Sequence, residues 1–136
     1  MKRRKKILLG SGILAILLVL LPVFLLSSPM LDVYQRRIDR DPASESSRSL
    51  QLTTADLCFS TWRYERAATG YRLFYERYKG DERRAYSLLR YAQSLDEAGR
   101  TGDAIDTYRK YLLEYPDIEN RKEAQIALQR LEGGLK

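Results

Sequence analysis

Two hydrophobic regimes divide the chain. Residues 7–26 read ILLGSGILAILLVLLPVFLL; none is charged, and fifteen of the twenty are Leu, Ile, Val or Phe. As a helix rising about 1.5 Å per residue, twenty residues cover roughly 30 Å, the depth of a bilayer's hydrocarbon core. Those fifteen side chains favour insertion by roughly 5–9 kcal/mol; Gly10, Ser11, Gly12 and Pro22 reduce that figure without reversing it. From about Ser49 the apolar positions adopt the helical period instead. It predicts a first helix to Ser60 or Thr61, with Leu52, Ala55, Cys58 and Phe59 inward. A second helix over Glu65–Tyr78 places Ala67, Ala68, Tyr71, Phe74, Tyr75 and Tyr78 on one face. Gly80 stops it and Asp81 caps a third, Glu82–Ala98, which Gly99 ends. Asp103 caps a fourth, carrying Ala104, Ile105, Tyr108, Tyr111, Leu112 and Tyr115. Pro116 ends that one, and Asp117 caps a last helix with Ala124, Ala127, Leu128 and Leu131 inward, closed by Gly133-Gly134. No segment has the alternation of a strand.

Between the two regimes lies a connector. Leu31, Tyr34 and Ile38 fit one or two turns of amphipathic helix, Asp41-Pro42 stops them, and the small polar residues 43–49 read as a flexible linker or a lead-in to the first helix. The expected organisation is a basic flank at 1–6, a transmembrane anchor at 7–28, a linker with a short helix at 29–48, a helical domain at 49–132 and a tail at 133–136.

The helical domain repeats. Shifting residues 52–78 by 37 brings Leu52 onto Leu89, Ala55 onto Ala92, Arg63 onto Arg100, Ala67 onto Ala104, Tyr71 onto Tyr108, Arg72 onto Arg109 and Tyr78 onto Tyr115. Phe74/Tyr111 and Cys58/Leu95 are apolar matches on the same grid. A period in the mid-thirties marks stacked supersecondary units.

Residues 85–118 resemble the tetratricopeptide repeat, whose pattern is W-x2-L-G-x2-Y, then A-x3-F, then Pro. Here the positions read Leu88-x2-Tyr91-Ala92-x2-Leu95, then Ala104-x3-Tyr108, then Pro116. The preceding unit is more diverged: Gln51-x2-Thr54-Ala55-x2-Cys58, then Ala67-x3-Tyr71, with Lys79 at the proline position and three extra residues before the next unit. The resemblance covers residues 49–132 and implies an all-α chain: an N-terminal transmembrane helix followed by a short α-solenoid of about two and a half helical hairpins. It implies repeat-packing roles for Ala55, Ala67, Tyr71, Leu88, Tyr91, Ala92, Leu95, Ala104, Tyr108 and Pro116. The first helix of each hairpin lines the concave face in this family, which puts Leu52, Asp56, Phe59, Tyr86, Leu89, Gln93 and Glu97 on a candidate partner-binding surface. Tyr-Pro-Asp followed by an Ala-rich helix is similar to bacterial envelope members of the family, which bind proteins and catalyse nothing. The layout is most similar to members with a single N-terminal span.

Charge sharpens the topology. The net charge is +6, and Lys2, Arg3, Arg4, Lys5 and Lys6 hold five of it, so the remainder of the chain is almost neutral. That is no footprint for nucleic acid. The cluster immediately before the apolar run keeps the N-terminus cytoplasmic and meets anionic headgroups, while residues 31–48 are charge-balanced. In a bacterium this places the helical domain on the periplasmic or outer face of the inner membrane. The competing expectation is a cleaved signal peptide releasing a soluble periplasmic adaptor. The run is longer than the usual 7–15 apolar residues, and Leu25-Leu26-Ser27-Ser28-Pro29 is a poor cleavage site.

Candidate chemistry is sparse. The chain has no histidine and a single cysteine, Cys58. A usual Cys/His zinc set is out of reach, and Cys58 lacks its customary base. No nucleophile with base, paired acid and base or phosphate loop is present, so no enzymatic activity, cofactor or small-molecule substrate is expected. Asp96, Glu97 and Asp103 read as a solvated face. The matched tyrosines read as inter-helix packing with hydroxyls at the rim. Trp62, in the turn between the first two helices, reads as packed against that turn.

Overall fold

A computed structural model describes residues 27–134. They form six α-helices and no strand: α1 Ser28–Arg40, α2 Glu45–Ser60, α3 Tyr64–Arg77, α4 Arg84–Glu97, α5 Thr101–Glu114 and α6 Arg121–Gly134. None of these helices is long and apolar enough to cross a membrane. The expected span over 7–26 and the basic cluster before it lie outside the described residues.

Each helix packs chiefly on its neighbours in sequence. Connections of three to six residues between touching helices make successive helices antiparallel. The array has two layers. Ion pairs run between α1 and α3 (Asp32–Arg66, 3.3 Å; Asp39–Arg77, 2.7 Å), and the Tyr75 hydroxyl of α3 donates to Glu114 of α5 at 2.7 Å. Hydrogen bonds run between α2 and α4 (Tyr86 to Asp56, 2.7 Å) and between α4 and α6 (Gln93 to Glu123, 2.8 Å). Odd-numbered helices therefore sit side by side in one layer and even-numbered helices in the other.

The 37-residue spacing holds in the backbone. α1, α3 and α5 end at Arg40, Arg77 and Glu114, and α2 and α4 end at Ser60 and Glu97. The first hairpin turn closes with Arg63 N–H donating to the Cys58 carbonyl at 2.8 Å and Trp62 N–H to Phe59 at 3.1 Å. The second repeats these bonds 37 residues later, from Arg100 to Leu95 and from Gly99 to Asp96, both at 2.9 Å. Both are Schellman motifs, which satisfy the last carbonyls of a helix with a left-handed residue.

α3 shows why the periodicity is dense. One stripe, Ala67, Tyr71, Phe74 and Tyr78, enters a core cluster with Leu31, Leu52, Ala55 and Cys58. The adjacent stripe, Ala68 and Tyr75, enters a second with Leu88, Leu89, Ala92, Leu95, Tyr108 and Tyr111. Tyr91 bridges the two. Of the expected repeat-packing residues, Ala55, Ala67, Tyr71, Leu88, Ala92, Leu95, Ala104 and Tyr108 are buried, Tyr91 is half-buried and Pro116 is exposed just beyond α5.

Several sequence expectations are corrected. The connector at 29–48 is mostly helix and belongs to the array. α1 lies 37 residues before α3, with Tyr34 standing to Tyr71 as Tyr71 stands to Tyr108. Its Leu31 and Ile38 are buried, so α1 covers the first end of the array. α2 starts at Glu45, because the Ser44 hydroxyl accepts from Ser47 N–H at 3.2 Å and caps it. Asp81 does not cap α4: it accepts from the Arg83 backbone and guanidinium at 2.7–2.9 Å, inside the preceding turn. Asp103 lies within the first turn of α5, bonded to Arg100, and does not precede it. Asp117 lies too early to cap α6, whose first turn accepts at the Asn120 carbonyl. Gly133 and Gly134 continue α6 where a tail was expected. Trp62, expected to pack on its turn, is 79% exposed.

Candidate protein-binding face

The even-layer helices carry the candidate face. On α4, Tyr86, Arg90, Gln93 and Glu97 follow at intervals of four, three and four, so they form one stripe along the helix. α2 presents Asp56 and Phe59 beside that stripe, and α6 presents Glu123 and Arg130 on its other side.

A continuous polar network joins the three helices. Asp56 accepts from the Tyr71 hydroxyl at 2.5 Å and from the Tyr86 hydroxyl at 2.7 Å. Arg90 donates to the Tyr71 oxygen at 3.3 Å and to Gln93 at 2.8 Å. Gln93 passes the chain on to Glu123 at 2.8 Å. The Arg90 guanidinium lies 3.8 Å from the centroid of the Phe59 ring, a cation–π contact that fixes its plane. Asp96 pairs with Arg130, a second α4–α6 link. Burial, then the bond to Asp56, raises the pKa of both the Tyr71 and Tyr86 hydroxyls, so both remain protonated donors at neutral pH.

Beside this network, Phe59, Arg90, Gln93, Glu97, Glu123 and Arg130 line a shallow recess of about 280 Å³. Tyr108 of the odd-layer helix α5 also lines it. The recess therefore offers both charge signs, amide groups and an aromatic edge, which suits a polypeptide surface better than one small apolar ligand.

Five of the seven proposed face residues meet here: Asp56, Phe59, Tyr86, Gln93 and Glu97. Leu52 and Leu89 do not. They are 7% and 3% exposed and belong to the two core clusters. α4 has neighbours on three sides, so its Leu89 turns inward. Leu52 shares a cluster with Leu31 of α1, a helix outside the expected array. Sequence reasoning missed Arg90, the Tyr71 hydroxyl and Glu123. The spacing of Arg90 between Tyr86 and Gln93 was a usable signal for the first; Tyr71 was read only as packing with its hydroxyl at the rim, and nothing local marked Glu123. Asp96, Glu97 and Asp103 do not form a single acidic surface, because Asp96 pairs with α6 and Asp103 with Arg100.

Cys58 is buried, and burial raises its thiol pKa against the lowering charges of Arg63 and Arg66. A protonated, enclosed thiol is a core side chain rather than a nucleophile. Set against protein-family models and against curated proteins, the chain finds no match.

Proposed function

We propose that this chain is a membrane-anchored, tetratricopeptide-like scaffold that holds another protein outside the lipid and catalyses nothing itself. In this reading it is an accessory or assembly subunit of a complex in a bacterial inner membrane. The N-terminus is cytoplasmic and the helical array lies on the far side. The observation that carries the reading is the face of α2, α4 and α6, where side chains from three helices are tied into one fixed surface. Stacked hairpins present side chains at regular intervals over a broad surface, the geometry that helical repeats use for polypeptide partners. The apolar length of residues 7–26 and the five basic residues before it support the anchor.

The test is gentle detergent extraction of the full chain with a C-terminal tag, beside a variant carrying Tyr86→Ala and Glu97→Lys. Both side chains are exposed, so the variant keeps its helicity. A partner retained in fixed ratio by the native chain and lost from the variant supports the scaffold. No partner in fixed ratio, or one indifferent to the variant, refutes it. The mature N-terminal mass separates the anchored form from a soluble periplasmic adaptor.

A further inference from the structure

Trp62 stands where the fold itself favours glycine. It is the left-handed residue of the first Schellman turn, with φ 57°, and the equivalent residue 37 positions on is Gly99, with φ 76°. The two turns make the same backbone bonds. A left-handed conformation is strained for a non-glycine residue. At 79% exposure the indole offsets little of that strain through packing. The described residues therefore give no folding reason for the largest side chain at this position.

Its place in the array supplies a reason. The pairs Asp32–Arg66 at 3.3 Å and Asp39–Arg77 at 2.7 Å set α1 and α3 side by side and parallel. The turn before α3 is therefore level with Ser28, the first residue of α1. Ser28 follows Leu26, the last residue of the apolar run, by two positions, a reach of at most about 7 Å. The turns at 41–44, 78–83 and 115–120 lie on the opposite edge.

On the reading that residues 7–26 span the bilayer, on which this inference rests, the Trp62 edge meets the headgroups. We propose that Trp62 seats its indole at the headgroup–acyl boundary of the membrane that anchors the chain, fixing the tilt of the array. An indole has an apolar body and one N–H donor, and tryptophan is enriched at that depth. Around it Arg66 pairs with Asp32, and Arg100 pairs with Glu65 and Asp103. Charge at this edge is largely compensated, so the contact does not depend on anionic lipid.

Trp62 is the only tryptophan in the chain, so its fluorescence reports this site alone. The full chain is reconstituted into phosphatidylcholine vesicles, which are then floated on a density gradient. One set contains lipid brominated high on the acyl chain. A second protein carries Trp62→Gly and Lys79→Trp, moving the fluorophore to an exposed site on the opposite edge. The expected result is that Trp62 is quenched severalfold more by the brominated lipid, and severalfold less by aqueous iodide, than the tryptophan at position 79. Protein that floats while Trp62 is open to iodide and insensitive to bromine overturns the insertion and leaves the anchor standing. Equal bromine quenching at both positions also overturns it, because the array then has no lipid-facing edge. Protein that does not float overturns the anchor and the insertion together.

Discussion

Asp56 is the residue on which the candidate face turns. It lies between two phenolic donors from different helices, at 2.5 and 2.7 Å, and the charge of Arg90 lies one bond further on. Hydrogen bonds to a carboxylate contribute about 1.5–3 kcal/mol, and Asp56 keeps one donor if the other is lost. Tyr71→Phe is therefore expected to lower stability by about 1–2 kcal/mol in urea unfolding while leaving the helix content unchanged. An unchanged midpoint would mean that the network contributes nothing to the fold. Trp62 behaves oppositely. Trp62→Gly relieves a left-handed side chain and is expected to raise stability by up to about 1 kcal/mol, measured in detergent, where no bilayer rewards the indole. Position and residue type were both legible here: the turn was read correctly, but the sequence does not show that its tryptophan faces outward.

At the scale of elements, α2 and α3 approach closely at Gly70. A Cβ placed on Gly70 would come within 2.9 Å of the Ala55 Cβ, and the Gln51 side chain donates to the Gly70 carbonyl at 3.3 Å. Gly70→Ala improves helix propensity but forces the pair apart, with an expected net loss of about 1–3 kcal/mol by thermal unfolding. The turn into α4 is held electrostatically. Asp81, its side chain 4% exposed, is bonded by the Arg83 guanidinium and backbone, which outweigh the burial that opposes its charge. Its pKa falls from an ordinary 3.8 to about 2. A depressed carboxylate stabilises the fold above its unfolded pKa, so this contribution, about 2 kcal/mol, is whole above roughly pH 4 and fades as pH falls toward 2. Asp81→Asn is expected to lose it at neutral pH and to flatten the stability profile between pH 4 and 2. The helices of the repeat were legible because their stripes of Ala, Tyr and Leu follow the 3.6-residue period. The caps were not: Asp81, Asp103 and Asp117 all follow Gly or Pro like N-caps, yet arginine partners and turn length decide their roles.

At the scale of the molecule, α1 changes the picture most. Leu31, Tyr34 and Ile38 were all the sequence offered there; the first and last are buried, and they suffice, because an end helix needs only one apolar side. Ile38 is fully buried, and Ile38→Ala is expected to lower stability by about 2–4 kcal/mol. That loss would confirm that the array begins at residue 28 and not at 49. With both ends covered by its own helices, the array needs no partner subunit to complete its core, and the case for a partner moves to the even-layer face. The seven face residues taken from the family resemblance divide there: five share the surface, and two serve the core because α1 and the crowding of α4 were not visible in one dimension. The central claim is that this face, and not the odd layer, holds another protein at the membrane. Site-specific photo-crosslinking in intact membranes tests it directly, with the probe at Glu97 on the even layer or at exposed Asp106 on α5 of the odd layer. The account predicts a discrete adduct of defined mass from Glu97 and none from Asp106. An adduct from Asp106 alone, or none from either position, would contradict it.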